Sequence, residues 1–133
     1  MVTNGDPKII QIENRADERG ILYVLDNLAV TCFNPSRIFV VTGLEIGQTR
    51  GGHAHRTCSQ LLFSMNGDAT ITAINKNSTF VFSLLSGQNA LLVPALNWLE
   101  FSLTNSSTSL VVLASHKYDD DDYIRNLEDL KTL

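Results

Sequence analysis

The chain has 133 residues, 44% of them hydrophobic and 18% charged. That is the balance of a folded globule rather than a disordered segment, and the length predicts one domain, residues 1–133, around a single core. The formal charge of −4 argues against coating a nucleic-acid polymer but permits a local basic pocket for a phosphorylated ligand.

No apolar run approaches membrane-spanning length, and residues 1–20 lack the apolar centre of a signal peptide, so no membrane and a cytoplasmic location are expected. Short apolar or alternating runs recur along the chain between turn signals. Residues 9–12, 20–25, 37–42, 59–64, 69–75, 79–84, 90–93, 99–103 and 109–115 read as strands. Asn66-Gly67-Asp68 and the polar stretches 75–78, 86–89 and 104–107 separate them as turns. Many short strands with evenly spaced turns predict an all-β fold, a small β-barrel or jelly roll. The tail differs. Four consecutive aspartates, 119–122, read as a solvated turn, because they lack the spaced ligands and glycine of a calcium loop. Asp122 is placed to cap a short C-terminal helix, with Ile124, Leu127 and Leu130 on the face that docks.

Two cysteines, Cys32 and Cys58, are too few for a disulfide framework. Cys58 reads as a small apolar core residue, since nothing in the sequence places a base beside it. Asn77-Ser78-Thr79 and Asn105-Ser106-Ser107 fit glycosylation sequons but, without a secretory signal, read as turns.

The chemistry concentrates in residues 47–67, GQTRGGHAHRTCSQLLFSMNG. In a strand, His53 and His55 point to the same face. Their spacing to Gly47, Gln60 and Gly67 is similar to the first motif of the cupins, with glutamine in the glutamate position. A metal-binding cupin adds a histidine from a second motif, here opened by Gly87 and Pro94, but that position falls at Leu99. His116 lies at the end of a distant strand. Two histidines and a neutral amide make a poor divalent site, so no resident metal is expected. What remains is a pair of imidazoles able to trade protons with a substrate near neutral pH. Arg50 would supply positive charge that keeps an imidazole neutral, Gln60 would hydrogen-bond in the same cavity, and Trp98 would offer a flat wall. A metal-dependent cupin, a non-catalytic binding cupin, and two histidines that merely pack in a core are the competing readings.

Arg50-Gly51-Gly52-His53-Ala54-His55-Arg56, Gln60, Asn66-Gly67, Pro94, Trp98, Ala114-Ser115 and the closing Tyr118–Arg125 stretch together resemble the dTDP-sugar 3,4-ketoisomerases, the WxcM-like family of the cupin superfamily. The resemblance runs from about Arg19-Gly20 to Arg125. It implies a metal-independent cupin without cofactor, usually a homodimer that exchanges strands. The implied substrate is dTDP-4-keto-6-deoxyglucose, turned through an enediol into a dTDP-3-keto-6-deoxyhexose. Such products supply 3-amino-3,6-dideoxy sugars for lipopolysaccharide O-antigen, S-layer glycans or antibiotics. Carried over by position, His53 and His55 would be the acid/base pair. Arg50, Arg37, Gln60, Trp98, Arg125 and Tyr123 would bind the substrate, Arg125 at the diphosphate. Two positions depart from the family pattern: Phe39-Val40-Val41 carries no phenol after the strand arginine, and Leu99 follows Trp98 where histidine is common.

Overall fold

Alternation along each strand decides which side chains meet, so the element order carries most of the site. The structure, a computed structural model, describes residues 5–133, without the side chains of residues 30 and 31. In chain order come β1 (Lys8–Gln11), β2 (Glu13–Asp17), β3 (Gly20–Val24), α1 (Leu28–Thr31), β4 (Arg37–Thr42), β5 (Arg50–His55) and β6 (Gln60–Met65). Then follow β7 (Ala69–Ile74), β8 (Thr79–Leu84), β9 (Asn89–Val93), β10 (Trp98–Leu103) and β11 (Ser109–Ala114). A 3-10 turn (Asp120–Asp122), the two-residue β12 (Tyr123–Ile124) and α2 (Leu127–Lys131) close the chain.

The first sheet runs β1-β9-β6-β11-β4, the second β12-β5-β10-β7-β8, and β2-β3 form a separate ribbon. Every pairing is antiparallel. The all-β fold with a short C-terminal helix is therefore as expected. Leu62, Ile71, Leu84, Leu91 and Leu110 are buried between the two large sheets. Burying each such side chain contributes about 1.5–3 kcal/mol. A second cluster lies on the outer side of the first sheet, where Leu61, Phe63, Leu92 and Leu113 meet Ile12 and Cys32 under Tyr23, Leu28 and Phe33. No described helix is long and apolar enough to cross a membrane.

Two details depart from the sequence reading. Strand β2, Glu-Asn-Arg-Ala-Asp, is exposed throughout and has no apolar alternation. Its turn makes the strand: Asp17 Oδ1 accepts from the Arg19 N–H at 2.8 Å, and Gly20 adopts φ 126°, a value that favours glycine. At the other end, Asp122 does not cap the final helix. Asn126 does, its side chain accepting from the Glu128 N–H at 2.9 Å. Ile124 lies in β12 rather than on that helix, but it, Leu130 and the half-buried Leu127 pack against Ala54 and Trp98 as expected.

Candidate active site

Strand β5 presents its two histidines to the interior. His53 stands directly across from Leu99 of the inter-sheet core, and His55 across from Tyr123 of β12. The rings of His53 and His55 lie 5.2 Å apart, edge to face. Tyr123 covers both, at 4.8 Å from His53 and 4.6 Å from His55. The first sheet supplies the facing wall. Arg37 of β4 and Gln60 of β6 both pair with Ala114 of the intervening β11, so the three form one row. The small alanine leaves space between an arginine and a glutamine that point the same way.

The Arg-Gly-Gly before His53 has a structural reason. The β5–β10 register slips by one residue between Leu99 and Glu100, so that Leu99 pairs with His53 but Glu100 with Gly51. Gly52 is the extra residue of a β-bulge, and both glycines have positive φ, 104° and 82°. A Cβ on Gly51 would lie 2.5 Å from the Leu99 carbonyl oxygen. In a regular strand Arg50 would face away from His53. The bulge turns it back, because Arg50 pairs with Phe101 of the same interior face.

The histidines are held neutral. Burial draws the His53 ring down from 6.5 to about 4, helped by His55, Arg125 and Arg37, against a backbone hydrogen bond at Gly51. Burial also lowers His55, and Asp122 opposes that by charge and hydrogen bond while Arg37 and Arg125 reinforce it. The positive influence thus comes chiefly from Arg37 and Arg125 rather than from the exposed Arg50.

Asp122 is the main residue of the site whose role sequence reasoning missed. Its carboxylate accepts from the Thr57 hydroxyl at 2.6 Å, the Thr57 N–H at 2.8 Å and the Cys58 N–H at 3.2 Å. Burial alone would raise its pKa, but these hydrogen bonds and His55 outweigh burial and hold it below the ordinary range. An ionised carboxylate can only accept. Its contact with His55 Nδ1, at 3.1 Å, therefore places the imidazole proton on Nδ1. The lone pair of Nε2 is left as an acceptor on the opposite side of the ring, toward the Gln60 amide nitrogen 3.4 Å away. So Asp122 is not the solvated turn residue expected; its side chain is 10% exposed. Asp120 does face water, paired with Arg125 at 2.8 Å.

Other expected residues are distributed unevenly. Arg125 lies over the Tyr123 ring at 4.5 Å. Arg37 lies 5.2 Å from Phe39 and 5.7 Å from Tyr118, whose ring is 5.7 Å from Tyr123. The buried Arg37 Nε has no hydrogen-bond partner among the described residues. Trp98 is not brought to this group. Leu99 faces inward, so Trp98 faces outward, packed with Ala54, Ile124 and Leu130 and donating its indole N–H to Glu100 at 3.0 Å. The pocket does not fit the metal set that many cupins carry, since an apolar Leu99 stands opposite His53 and Gln60 offers a neutral amide. The atoms best suited to a metal gather on the other side of His55, with Cys58 and Asp122. Contrary to the sequence reading, Cys58 does have a base in its neighbourhood.

An antiparallel two-sheet fold in which a half-buried His53 meets a buried His55 whose tautomer Asp122 sets, with Arg37 and Arg125 close by, defines a class of proton-transfer cupins. The chain belongs to the family described as "FdtA: WxcM-like, C-terminal", whose profile matches residues 5–133. It is 29% identical over 124 residues to the TDP-4-oxo-6-deoxy-alpha-D-glucose-3,4-oxoisomerase of Aneurinibacillus thermoaerophilus, covering 93% of this chain and 89% of that one. It superposes with a TM-score of 0.88 on QdtA, a sugar 3,4-ketoisomerase from Thermoanaerobacterium thermosaccharolyticum in complex with TDP, at 27% identity over 98% of this chain and 95% of that one. A histidine-to-asparagine variant of QdtA, in complex with TDP-4-keto-6-deoxyglucose, gives a TM-score of 0.87 at 27% identity, covering 99% and 94%.

Proposed function

We infer that this protein is an intramolecular oxidoreductase that converts dTDP-4-keto-6-deoxyglucose into a dTDP-3-keto-6-deoxyhexose. The observation that supports the chemistry is the neutral His53–His55 pair, with His55 keyed by Asp122 to present Nε2 as an acceptor, engaged only by the Gln60 amide at 3.4 Å. The family and the activities of its relatives supply the substrate class. The reaction has no net redox change. A base takes the proton from C3, the electron pair passes to the C4 oxygen as an enediol forms, and a proton is returned at C4 while O3 becomes the carbonyl. Each step lies next to a carbonyl, and hydrogen-bond donors can hold the developing oxyanion. His53 and His55 carry these protons between them. Gln60 and Tyr123 line the sugar. Arg37 brings an unmatched buried donor that a substrate oxygen satisfies, and leaving such a donor unmet costs about 1–3 kcal/mol. Arg125 and Arg50 hold the diphosphate, where guanidinium geometry suits paired oxygens.

The protein acts as a homodimer with exchanged strands. Ile21, Leu22, Ile38 and Val40 are each more than half exposed. They lie on the separate β2-β3 ribbon and on the edge strand β4, an apolar strand edge of the kind that pairs with another chain. Sedimentation is expected to give a dimer, and Ile38→Glu with Val40→Glu a monomer. A monomeric wild type would remove this part of the reading.

The test of the reaction is exchange in D2O. Wild type should wash deuterium into C3 of dTDP-4-keto-6-deoxyglucose and yield the 3-keto sugar, read by NMR. Folded wild-type protein that binds the nucleotide sugar without exchange would make it a binding protein instead.

A further inference from the structure

Behind His55, the contact with Asp122 is joined by Cys58, a thiol that the isomerase reaction does not use. The ligating atoms of His55, Cys58 and Asp122 all lie within 4.8 Å of one another, and Cys58 and His55 are buried. One imidazole, one thiol and one carboxylate on a single centre is a donor set for zinc. The spacing is slightly wider than ligands on a shared ion, so side-chain rotation would close it. Cys58 is lightly engaged, its thiol 3.4 Å from the Ser59 carbonyl and 3.8 Å from the Ser115 hydroxyl. Of the three residues, Asp122 reaches the surface. Asp122 lines a surface cleft of about 350 Å³ together with Thr57, His116, Lys117, Tyr118 and Asp119.

We propose that His55 Nδ1, Cys58 Sγ and an Asp122 oxygen form a site for a thiophilic divalent cation, zinc foremost, and that filling it switches the isomerase off. The reason is tautomeric. In the free protein Asp122 holds the His55 proton on Nδ1 and leaves the Nε2 lone pair toward the Gln60 amide. A cation on Nδ1 displaces that proton, so a neutral ring must carry its hydrogen on Nε2 instead. Nε2 then offers an N–H in place of a base. Cys58 binds as thiolate, so one proton is released to solvent per ion bound, and no oxidation state changes. A water completes the tetrahedron. The site uses the ring nitrogen that faces Asp122, opposite the one that faces Gln60.

Binding stands independently of the catalytic reading, and only the loss of activity rests on it. Titration with Co²⁺ reads binding directly. One equivalent should raise tetrahedral d–d bands and a near-ultraviolet sulfur-to-cobalt charge-transfer band, and Zn²⁺ should displace it. Cys58→Ser should abolish the charge-transfer band. Cys58→Ser and Asp122→Asn should each weaken Co²⁺ binding by more than the ~10–100-fold that loss of an outer partner costs. Zn²⁺ should suppress wild-type exchange at C3, a chelator should restore it, and the Cys58→Ser protein should turn over normally and resist Zn²⁺. The absence of a charge-transfer band in wild type, or a band that survives Cys58→Ser, overturns the site. Zn²⁺ inhibition of equal depth in Cys58→Ser overturns the switch. If wild type never exchanges C3, the catalytic reading fails, while the cobalt spectrum still judges the site.

Discussion

The two faces of strand β5 do opposite work over three consecutive residues. His53 and His55 face a pocket of rings and charges, whereas Ala54 between them is fully buried against Trp98, Ile124 and Leu130. The front face carries polar groups whose hydrogen bonds and protonation are set individually. The back face is ordinary apolar packing, worth what its buried area is worth. The contrast teaches that the C-terminal segment serves both sides at once. Tyr123 pairs with His55 and covers the histidines, while its neighbour Ile124 pairs with Ala54 and fills the back.

The sharpest break between the faces comes from the front. His55→Ala or His53→Ala should lower exchange at C3 by ~10²–10⁴-fold, the usual worth of a positioned acid or base. The melting temperature should fall, more for His55→Ala, which leaves a cavity and takes a hydrogen-bond donor from the Asp122 carboxylate. Asp122→Asn comes next. The charge-assisted hydrogen bond to Nδ1 is worth about 1.5–3 kcal/mol, roughly ten- to hundredfold in rate. Because asparagine can also donate, the tautomer is no longer enforced, so the loss should fall on kcat and move the pH profile; a uniform rise in KM alone would contradict a tautomer-setting role.

The pH dependence of the front face has a definite sign. His53 titrates at 6.5 when unperturbed and at about 4 in the fold. Between those values the unfolded chain binds more protons, so stability falls as pH drops from 6.5 toward 4, with no such loss above 6.5. His55 is shifted the same way, and Asp122 adds stability at neutral pH that is lost as acid protonates it. The acid limb of kcat/KM should accordingly lie below the ordinary histidine range. Melting curves across this window should flatten in His53→Gln; an unchanged slope would mean that other groups carry it.

The smallest effect is expected behind the strand. Trp98→Phe keeps an aromatic body and loses the indole hydrogen bond to Glu100. It should cost about 1 kcal/mol in stability and leave KM for the nucleotide sugar unchanged. A several-fold rise in KM would show that the indole does reach the sugar.

What the sequence disclosed follows from how local each signal is. The spacing of His53 and His55, the alternation in residues 69–75 and the polar turns lie within a few positions of one another, so the strand pattern and the paired imidazoles were legible. Trp98 was misplaced because its direction depends on the register of β10 against β5, where Leu99 meets His53, and no short window contains both. Asp122 lies 67 residues from the histidine it orients. Within an acidic run it looks like a solvent-facing turn until the antiparallel pairing of β12 brings it back. The β2 strand carries no apolar period at all, because its turn rather than its packing holds it.

The two-residue β12 has a consequence for the order of events on the ribosome. A nascent chain that has emerged through β11 holds both histidines and both large walls, but it lacks the carboxylate that sets the His55 proton and the ring that covers the pair. Such a chain has both large sheets but an unset base. Competence to move a proton thus arrives only after the scaffold that will use it already exists.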